Sequence, residues 1–499
     1  MASLKLQPGW CGALIFVALG CSVLPYAGVQ TDEALFGASL YQPNTVIDKF
    51  RAFGHDVPTM PMSYLGALKS WVYAPVFAVW PPSLWSIRLP MVLLGACTIL
   101  LFARLLDRLY GRMAAWVGVA LLATDTSLVM TTTFDWGPVA IQHFLSVALA
   151  WWLLRFARED RWWMLALAAF LAGLALWNKA VFAWTLMGAG TALLALFPVE
   201  IWRRLSWRNV AVAVLFFAGG ASMLIRYNVR HSGETWRSTA RMSLANIADK
   251  HIHVRSMLEG SALMGFMIAE DNYPTTRFTV MPYVCLAGAL AALAWRRRGL
   301  AFPLLAAILT WLAMAVTKDG GGSVHHAVLI YPLPQWMLAA VAAAAAGLWP
   351  ARAWLVLAMA GLLAADNARL VLVHRDDGQR LGGGEDWNEA ILPLAASVKR
   401  RNPAEVRMYD WGLQDNVILL TARSWNISYP ERPFGEAAFT QSPDALWIGR
   451  VNERLPGINT ELFAAAEKYG YQRVVLERFA NKRGVPAFEL FEFRKKQTP

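Results

Sequence analysis

Acidic side chains at the edges of apolar blocks are the first candidates for chemistry in this sequence. Asp32 and Glu33 stand in Gln30-Thr31-Asp32-Glu33-Ala34, just past the first long apolar stretch. Two adjacent carboxylates at an apolar boundary can have separated pKa values, leaving one ready to accept a proton. The same residues also fit a helix start, with Thr31 or Asp32 capping a short helix through Leu40. Asp135 lies in Thr133-Phe134-Asp135-Trp136-Gly137-Pro138, where the Gly-Pro pair separates two apolar blocks. With Asp32 it could bind a divalent cation or share acid–base work. Alternatively it caps the helix whose first turn includes Pro138. Asp125 precedes it by a stretch of about 15 Å along a helix, too far to share one reaction centre. A carboxylate in hydrocarbon costs roughly 2.5–3.5 kcal/mol on insertion scales, so Asp125 is expected to bond to a neighbouring helix.

Several basic residues fall beside similar boundaries. Lys179 follows Asn178 at a turn between two apolar blocks, where it either meets a phosphate or snorkels to headgroups. His325 and His326 follow Lys318-Asp319-Gly320-Gly321-Gly322-Ser323. Glycines let backbone N–H groups approach an anion, so this loop reads as a phosphate cradle. One histidine could donate to a phosphate oxygen or ligate a metal, which makes His326 and Asp135 the candidates for a divalent ion. Arg277 closes a basic stretch with Arg230, Arg237, Arg241, Lys250 and Arg255 that fits a solvated loop or a site for an anionic head group.

The elements that must position these groups are membrane helices. Hydrophobic residues make up 57% of the 499 positions and charged ones 16%, which is too little charge for a soluble chain of this length. The apolar residues fall into blocks of about 17–22, enough to cross a hydrocarbon core of roughly 30 Å. About eleven spans result, near 9–28, 86–104, 113–132, 137–155, 162–177, 181–198, 209–226, 279–295, 300–316, 326–346 and 352–372. The first reads as an uncleaved helix, since its apolar run is long for a signal peptide.

The net charge of +12 does not point to nucleic acid, because arginines cluster in the short gaps between spans. Alternate gaps hold Arg104, Arg108 and Arg112; Arg155, Arg158 and Arg161; Arg203, Arg204 and Arg208; Arg296, Arg297 and Arg298; and Arg352. Placing all of them in the cytoplasm puts the N-terminus inside and the C-terminal part outside. The four cysteines, Cys11, Cys21, Cys97 and Cys285, lie inside predicted spans and form no metal or disulfide pattern. The expected fold is a polytopic α-helical membrane domain, 1–372, with outer loops at 29–85 and 227–278. Within the first loop, Met62 to Val79 is amphipathic and suits an interfacial helix.

After Val373 the pattern changes. Val406 to Trp411, Ala445 to Ile448, Arg473 to Leu476 and Phe488 to Phe493 read as strands, and Thr460 to Lys468 as a helix. The region 373–499 is therefore expected to form a small soluble α/β domain. Gly382, Gly383 and Gly384 suggest a flexible joint, not a phosphate loop, since no strand-to-helix context surrounds them.

A Thr31-Asp32-Glu33 loop after the first span, followed by Phe134-Asp135 opening the fourth, resembles the C-type (GT-C) membrane glycosyltransferases. The nearest branch is that of protein O-mannosyltransferases and lipid A aminoarabinose transferases, with the likeness clearest over 25–180. The resemblance implies a polyprenyl-phosphate sugar donor and transfer on the outer face, with inversion at the anomeric carbon. It implies Asp32 as the general base, Glu33 as an orienting group and Asp135 as the second acid of the cavity. Phosphate binding by Lys179, His325, His326 and Arg277 is read from the residues themselves. The acceptor is left open among a lipid, a glycan and a protein. The outer loops lack a strong Asp-x-Asp metal motif, so a divalent ion is possible but not required.

A multi-pass transporter or lipid flippase using Asp125 and the outer acids is the competing class. It expects an inverted repeat and paired broken helices, and no internal repeat is found. The Ala-, Arg- and Trp-rich usage fits a GC-rich bacterium, hence an inner membrane with a periplasmic C-terminal domain.

Overall fold

Backbone groups in hydrocarbon must satisfy one another, and long apolar helices are the open-chain way to do so. The computed structural model describes residues 7–245, 247–268, 273–278, 283, 286–287, 289–290, 297–318 and 320–496. Within them Leu84–Tyr110, Val139–Glu159, Arg298–Ala315, Val324–Leu348 and Pro350–Leu381 are each long and apolar enough to cross a membrane. Three bent pairs also qualify if each counts as one span, and the apolar helices Pro8–Val23 and Trp162–Asn178 are shorter. The expected span at 279–295 lies mostly outside the described residues.

The first eight helices carry most of the site. They are α1 Pro8–Val23, α2 Thr31–Tyr41, α3 Leu68–Val79, α4 Leu84–Tyr110, α5 Arg112–Thr124, α6 Thr126–Thr133, α7 Val139–Glu159 and α8 Trp162–Asn178. The single span expected at 113–132 is broken between α5 and α6, with a bend of 55°. Asp125 sits at the break. Its Oδ1 accepts the Leu128 N–H at 2.9 Å, and its Oδ2 accepts from Tyr331 at 3.1 Å and Gln335 at 2.9 Å. The buried carboxylate thus finds the neighbouring-helix partner that its desolvation demands, while capping α6.

Close helix crossings depend on small residues. A Cβ on Gly173 of α8 would stand 2.1 Å from the Phe217 carbonyl oxygen, and one on Gly220 would stand 2.1 Å from that of Phe170. The two backbones therefore touch where any side chain would force them apart. Between α1 and α4 the chain forms α2, then the antiparallel hairpin β1 (Asp48–Ala52) and β2 (His55–Met60), then α3. The amphipathic α3 is more deeply packed than an interfacial helix would be. It buries Lys69, Ser70 and Tyr73, with the Tyr73 hydroxyl donating to Ile87 of α4 at 2.7 Å, while Val79 and Trp80 stay exposed.

The C-terminal part holds a five-stranded sheet in the order β4-β3-β5-β7-β6. Its strands are β3 Val406–Met408, β4 Ile427–Ser428, β5 Leu446–Arg450, β6 Tyr471–Ala480 and β7 Pro486–Lys495. β3 runs parallel to β4 and β5, and β7 runs antiparallel to β5 and β6. The four expected strands overlap β3, β5, β6 and β7, and the expected helix overlaps Ile458–Lys468. The glycines at 382–384 are not a loose joint. Gly382 takes φ +70° at the end of helix Ala353–Leu381, Gly383 N–H donates to Glu389 at 2.7 Å, and all three are buried.

Candidate active site

The loop ahead of α2 is built by reciprocal capping, but the cap is Gln30 rather than Thr31 or Asp32. The Gln30 side chain accepts the backbone N–H groups of Asp32 and Glu33, and Glu33 returns a bond to the Gln30 N–H. Thr31 is thereby freed to donate its hydroxyl to the Gly412 carbonyl at 2.9 Å. The Asp32 carboxylate projects from the first turn, half-buried, and its Oδ2 accepts the Trp136 indole N–H at 2.9 Å. Burial raises the Asp32 carboxyl above its ordinary value, against the Trp136 bond and the nearby Lys179 charge, which lower it.

Glu33 turns the opposite way, into the protein. Arg88 of α4 grips it with Nε to Oε1 at 2.7 Å and Nη2 to Oε2 at 2.9 Å. The same guanidinium donates to the carbonyls of Leu24, Ala27 and Gly28, and its plane lies 4.6 Å from the Phe134 ring. Both partners are buried, so this is a bidentate pair whose donors are all used. Glu33 therefore holds the loop in place from behind and does not reach the side on which Asp32 is exposed.

Asp135 is also buried and held by an ion pair. Its Oδ1 accepts the Ala140 N–H at 2.8 Å, capping the start of α7, and its Oδ2 pairs with Lys69 Nζ at 2.8 Å. Lys69 in addition donates to the Asp135 carbonyl at 3.1 Å. A metal ion on Asp135 would have to displace an ammonium. Among the described residues no group of three His, Cys, Asp or Glu side chains could hold an ion, and Asp135 and His326 are not brought together as ligands.

Lys179 does join the site. It is buried at the end of α8, where its Nζ donates to the Gly137 carbonyl and to the His325 carbonyl, each at 3.2 Å. These acceptors are neutral. Burial brings the ammonium down to about 7, while Asp32 and Asp135 act to raise it. The His325 ring packs on Trp136 with centroids 4.5 Å apart and on His326 at 4.3 Å, and Ser323 bonds to its Nδ1 at 2.5 Å. His326 packs against Trp184.

The glycine loop before these histidines is less open than a phosphate cradle should be. A Cβ on Gly320 would meet Trp184 at 2.6 Å, and Gly321 lies against the Lys250 stem. Asp319 lies outside the described residues. Arg277 stands apart: its backbone N–H donates to Asp366 at 2.6 Å and its side chain is exposed, with no contact to the Asp32 cluster among the described residues. Elsewhere in the basic stretch, Lys250 is buried against the carbonyls of Ala315 and Thr317, while Arg237 pairs with Glu234 and Arg255 with Glu259. Those contacts are internal and favour a folded loop over a head-group site.

Sequence reading missed the residues supplied by the C-terminal part. Gly28 N–H donates to the Trp387 carbonyl at 2.7 Å, and Asn416 donates to the Val29 carbonyl at 2.6 Å. A Cβ on Gly37 of α2 would stand 2.6 Å from Leu419, so helix Gln414–Thr421 lies directly on α2. Its first turn carries Asp415, pushed up to about 7 by burial and then by the charge on Asp32. No spacing signal links position 415 to position 32. Lys69 and Arg88 had a signal, being charged residues inside apolar stretches.

A raised carboxyl pKa has a definite sign. The folded chain retains the Asp415 proton at a pH where the unfolded chain, with a pKa near 3.9, has released it. Stability therefore falls as pH rises from about 4 to about 7. Asp415→Asn should raise the midpoint of thermal unfolding at pH 8 and flatten its decline between pH 5 and 8. Asp32 has a shift of the same sign, so some slope will remain. A variant with the full wild-type slope would show that Asp415 does not carry this proton.

An apolar helical body, a carboxylate on a capped loop and a C-terminal α/β unit packed against it fit the C-type membrane glycosyltransferase fold that the sequence resembles. Residues 66–225 match the family described as dolichyl-phosphate-mannose-protein mannosyltransferase. The same fold is found in ArnT from Cupriavidus metallidurans bound to undecaprenyl phosphate. That likeness has TM-score 0.61 and 13% identity, and covers 97% of this chain and 98% of that one. The apo form of the same ArnT gives TM-score 0.58 at 12% identity, covering 97% of this chain and 98% of that one. The Archaeoglobus fulgidus oligosaccharyltransferase, in complex with Zn and sulfate, gives TM-score 0.52 at 13% identity, covering 98% of this chain and 73% of that one. A search of curated proteins found no match.

Proposed function

We propose that this chain is an inverting glycosyltransferase that takes a sugar from a polyprenyl-phosphate donor and passes it to an acceptor hydroxyl on the outer face of the membrane. The single observation that carries the reading is the setting of Asp32. It is a half-buried carboxylate held by one indole bond, with the neighbouring acids Glu33 and Asp135 each locked in a buried ion pair. Among these three acids, Asp32 alone is not fully buried and so can be reached by a ligand. Its proton affinity is raised by burial, as a general base requires.

In this mechanism Asp32 takes the proton of the acceptor hydroxyl as that oxygen attacks the anomeric carbon. The bond from that carbon to the phosphate oxygen breaks, and the polyprenyl phosphate leaves with the electron pair. One base suffices for a single displacement, unlike the paired carboxyls of a retaining hydrolase. Lys179 is the cation best placed for the phosphate. Among the described residues it has two neutral acceptors for its three donors, and Lys69 is already neutralised by Asp135. No step needs a metal ion, and the Asp135 carboxylate is not placed to hold one. Glu33 and Asp135 act by holding the Asp32 and Trp136 loops.

The arginine-rich short gaps support an N-terminus in the cytoplasm and a C-terminal α/β domain, 373–499, on the outer side of a bacterial inner membrane. The bonds of Asp125 to Tyr331 and Gln335 favour a structural role over a transport pathway.

Lys179→Met should weaken donor binding by at least about tenfold, the loss of one charge-assisted hydrogen bond. Because the ammonium titrates near 7, wild-type affinity should fall as pH rises from 6 to 8, and the variant should show no such fall. Equal affinities would remove Lys179 from the phosphate site. The reading as a whole is tested by lipid profiling of cells lacking the gene, with and without the wild-type copy. Accumulation of one polyprenyl-phosphate sugar in the deletion, together with loss of one surface glycan, is expected. Identical lipid and glycan profiles would reject the transferase and favour transport.

A further inference from the structure

Between the membrane helices and the C-terminal unit lies an open cleft of about 460 Å³. Its walls include Trp136, Phe266, Trp387 and Trp411, with Asp386 and Arg454 on one side. Trp136 is the residue that donates to Asp32, so the cleft begins one side chain away from the proposed base. Trp411 keeps 47% of its surface exposed, an uncommon setting for so large a ring. Trp387 stacks edge-on against Trp136 with centroids 5.2 Å apart. Its Nε1 is buried and has no hydrogen-bond partner among the described residues.

The polar wall is equally ordered. Arg454 Nη2 pairs with Asp386 Oδ2 at 2.7 Å, and Arg450 approaches Asp386 Oδ1 at 3.3 Å. Asp410 accepts the backbone N–H groups of Arg454 and Leu455 at 2.9 and 3.0 Å, which fixes this turn beside the cleft. Aromatic faces combined with a fixed carboxylate–guanidinium pair suit one ligand class in particular. A pyranose ring presents polarised C–H bonds on its faces, which meet the negative face of an indole. Around its edge it presents hydroxyls that both donate and accept. An isoprenyl chain would have no use for the charged pair, and the pocket would then be lined by apolar groups alone.

We propose that this cleft is the acceptor subsite and that the acceptor is a saccharide, stacked on Trp411 with its edge hydroxyls toward Asp386 and Arg454. The reacting hydroxyl then points past Trp136 to Asp32. This assignment rests on the transferase reading and narrows its acceptor from lipid, glycan or protein to a glycan end.

The test is saturation-transfer difference NMR on the full-length protein in lipid nanodiscs, with maltotriose, chitotriose and mannotriose as probes. Saturation should pass to ring protons of at least one trisaccharide. Trp411→Ala should weaken that binding by about fivefold or more, the worth of one aromatic contact. Absence of transfer to all three sugars, or an unaltered signal in Trp411→Ala, would overturn the assignment. Displacement of the sugar by geranyl phosphate, with the same dependence on Trp411, would also overturn it and give the cleft to the donor lipid. The two readings fail separately. Sugar binding without donor-lipid accumulation in the gene deletion would remove the transferase alone, and accumulation without sugar binding would remove only the saccharide subsite.

Discussion

Asp32→Asn should lower sugar transfer by about 10²–10⁴-fold, the range that a positioned general base contributes. The amide has the size of the carboxylate and can still accept the Trp136 N–H through its oxygen, so the loop geometry should persist. What is lost is basicity at the atom facing the acceptor. Capping of α2 is unaffected, because Gln30 and Glu33 form that cap. Donor binding should hold within a few-fold, since Lys179 keeps its place. The measurement is transfer from radiolabelled polyprenyl-phosphate sugar in membranes containing matched amounts of each protein. Wild-type turnover by the variant would remove Asp32 from the mechanism, whatever the identity of the sugar.

Arg88→Met should give the largest loss of stability. One guanidinium neutralises Glu33 and donates to the carbonyls of Leu24, Ala27 and Gly28 in the stretch that follows α1. Removing one partner of a buried pair typically costs about 3–5 kcal/mol, because the other charge is stranded. The expected result is a sharp drop in the thermal midpoint, read as monodisperse protein surviving heating in detergent. Glu33→Gln in the same chain should recover part of the loss, since no bare charge then remains. The double variant would keep its Gln30 cap and should regain some transfer activity. If the single variant were as stable as wild type, the pair would not be what fixes the Asp32 loop.

The two experiments separate roles that look alike in the sequence. Asp32 and Glu33 are neighbours, yet successive residues in the first turn of a helix point in directions about 100° apart. One meets Trp136 at the edge of the cleft and the other meets Arg88 of α4. Asp135 matches Asp32 in its boundary position, but Lys69 reaches it from α3 and takes its charge. The competing capping reading of Asp135 is also correct, through Ala140.

Much of the membrane part was legible because hydrocarbon imposes a one-dimensional rule. Apolar runs of sufficient length mark spans wherever they fall, so Leu84–Tyr110 and Val139–Glu159 follow from hydropathy alone. The later strands were legible for a similar local reason, and β3, β5, β6 and β7 all coincide with runs of strand-forming residues. The need of Asp125 for a partner was also readable from the cost of a carboxylate in an apolar stretch.

Only the tertiary structure decided which side chains meet. Lys179 and His325 come to Asp32 because the turns carrying them converge on Gly137 and Trp136, while Arg277 is drawn away to Asp366. The C-terminal unit was expected as a separate domain on a glycine joint. It instead supplies Trp387, Gly412, Asp415 and Asn416 to the walls and support of the site. Contacts between positions 28–32 and 387–416 span almost the whole chain, and no local periodicity encodes such a pairing. Local sequence sets where a charge can afford to sit, but its partner is fixed by how the helices and the sheet close around it.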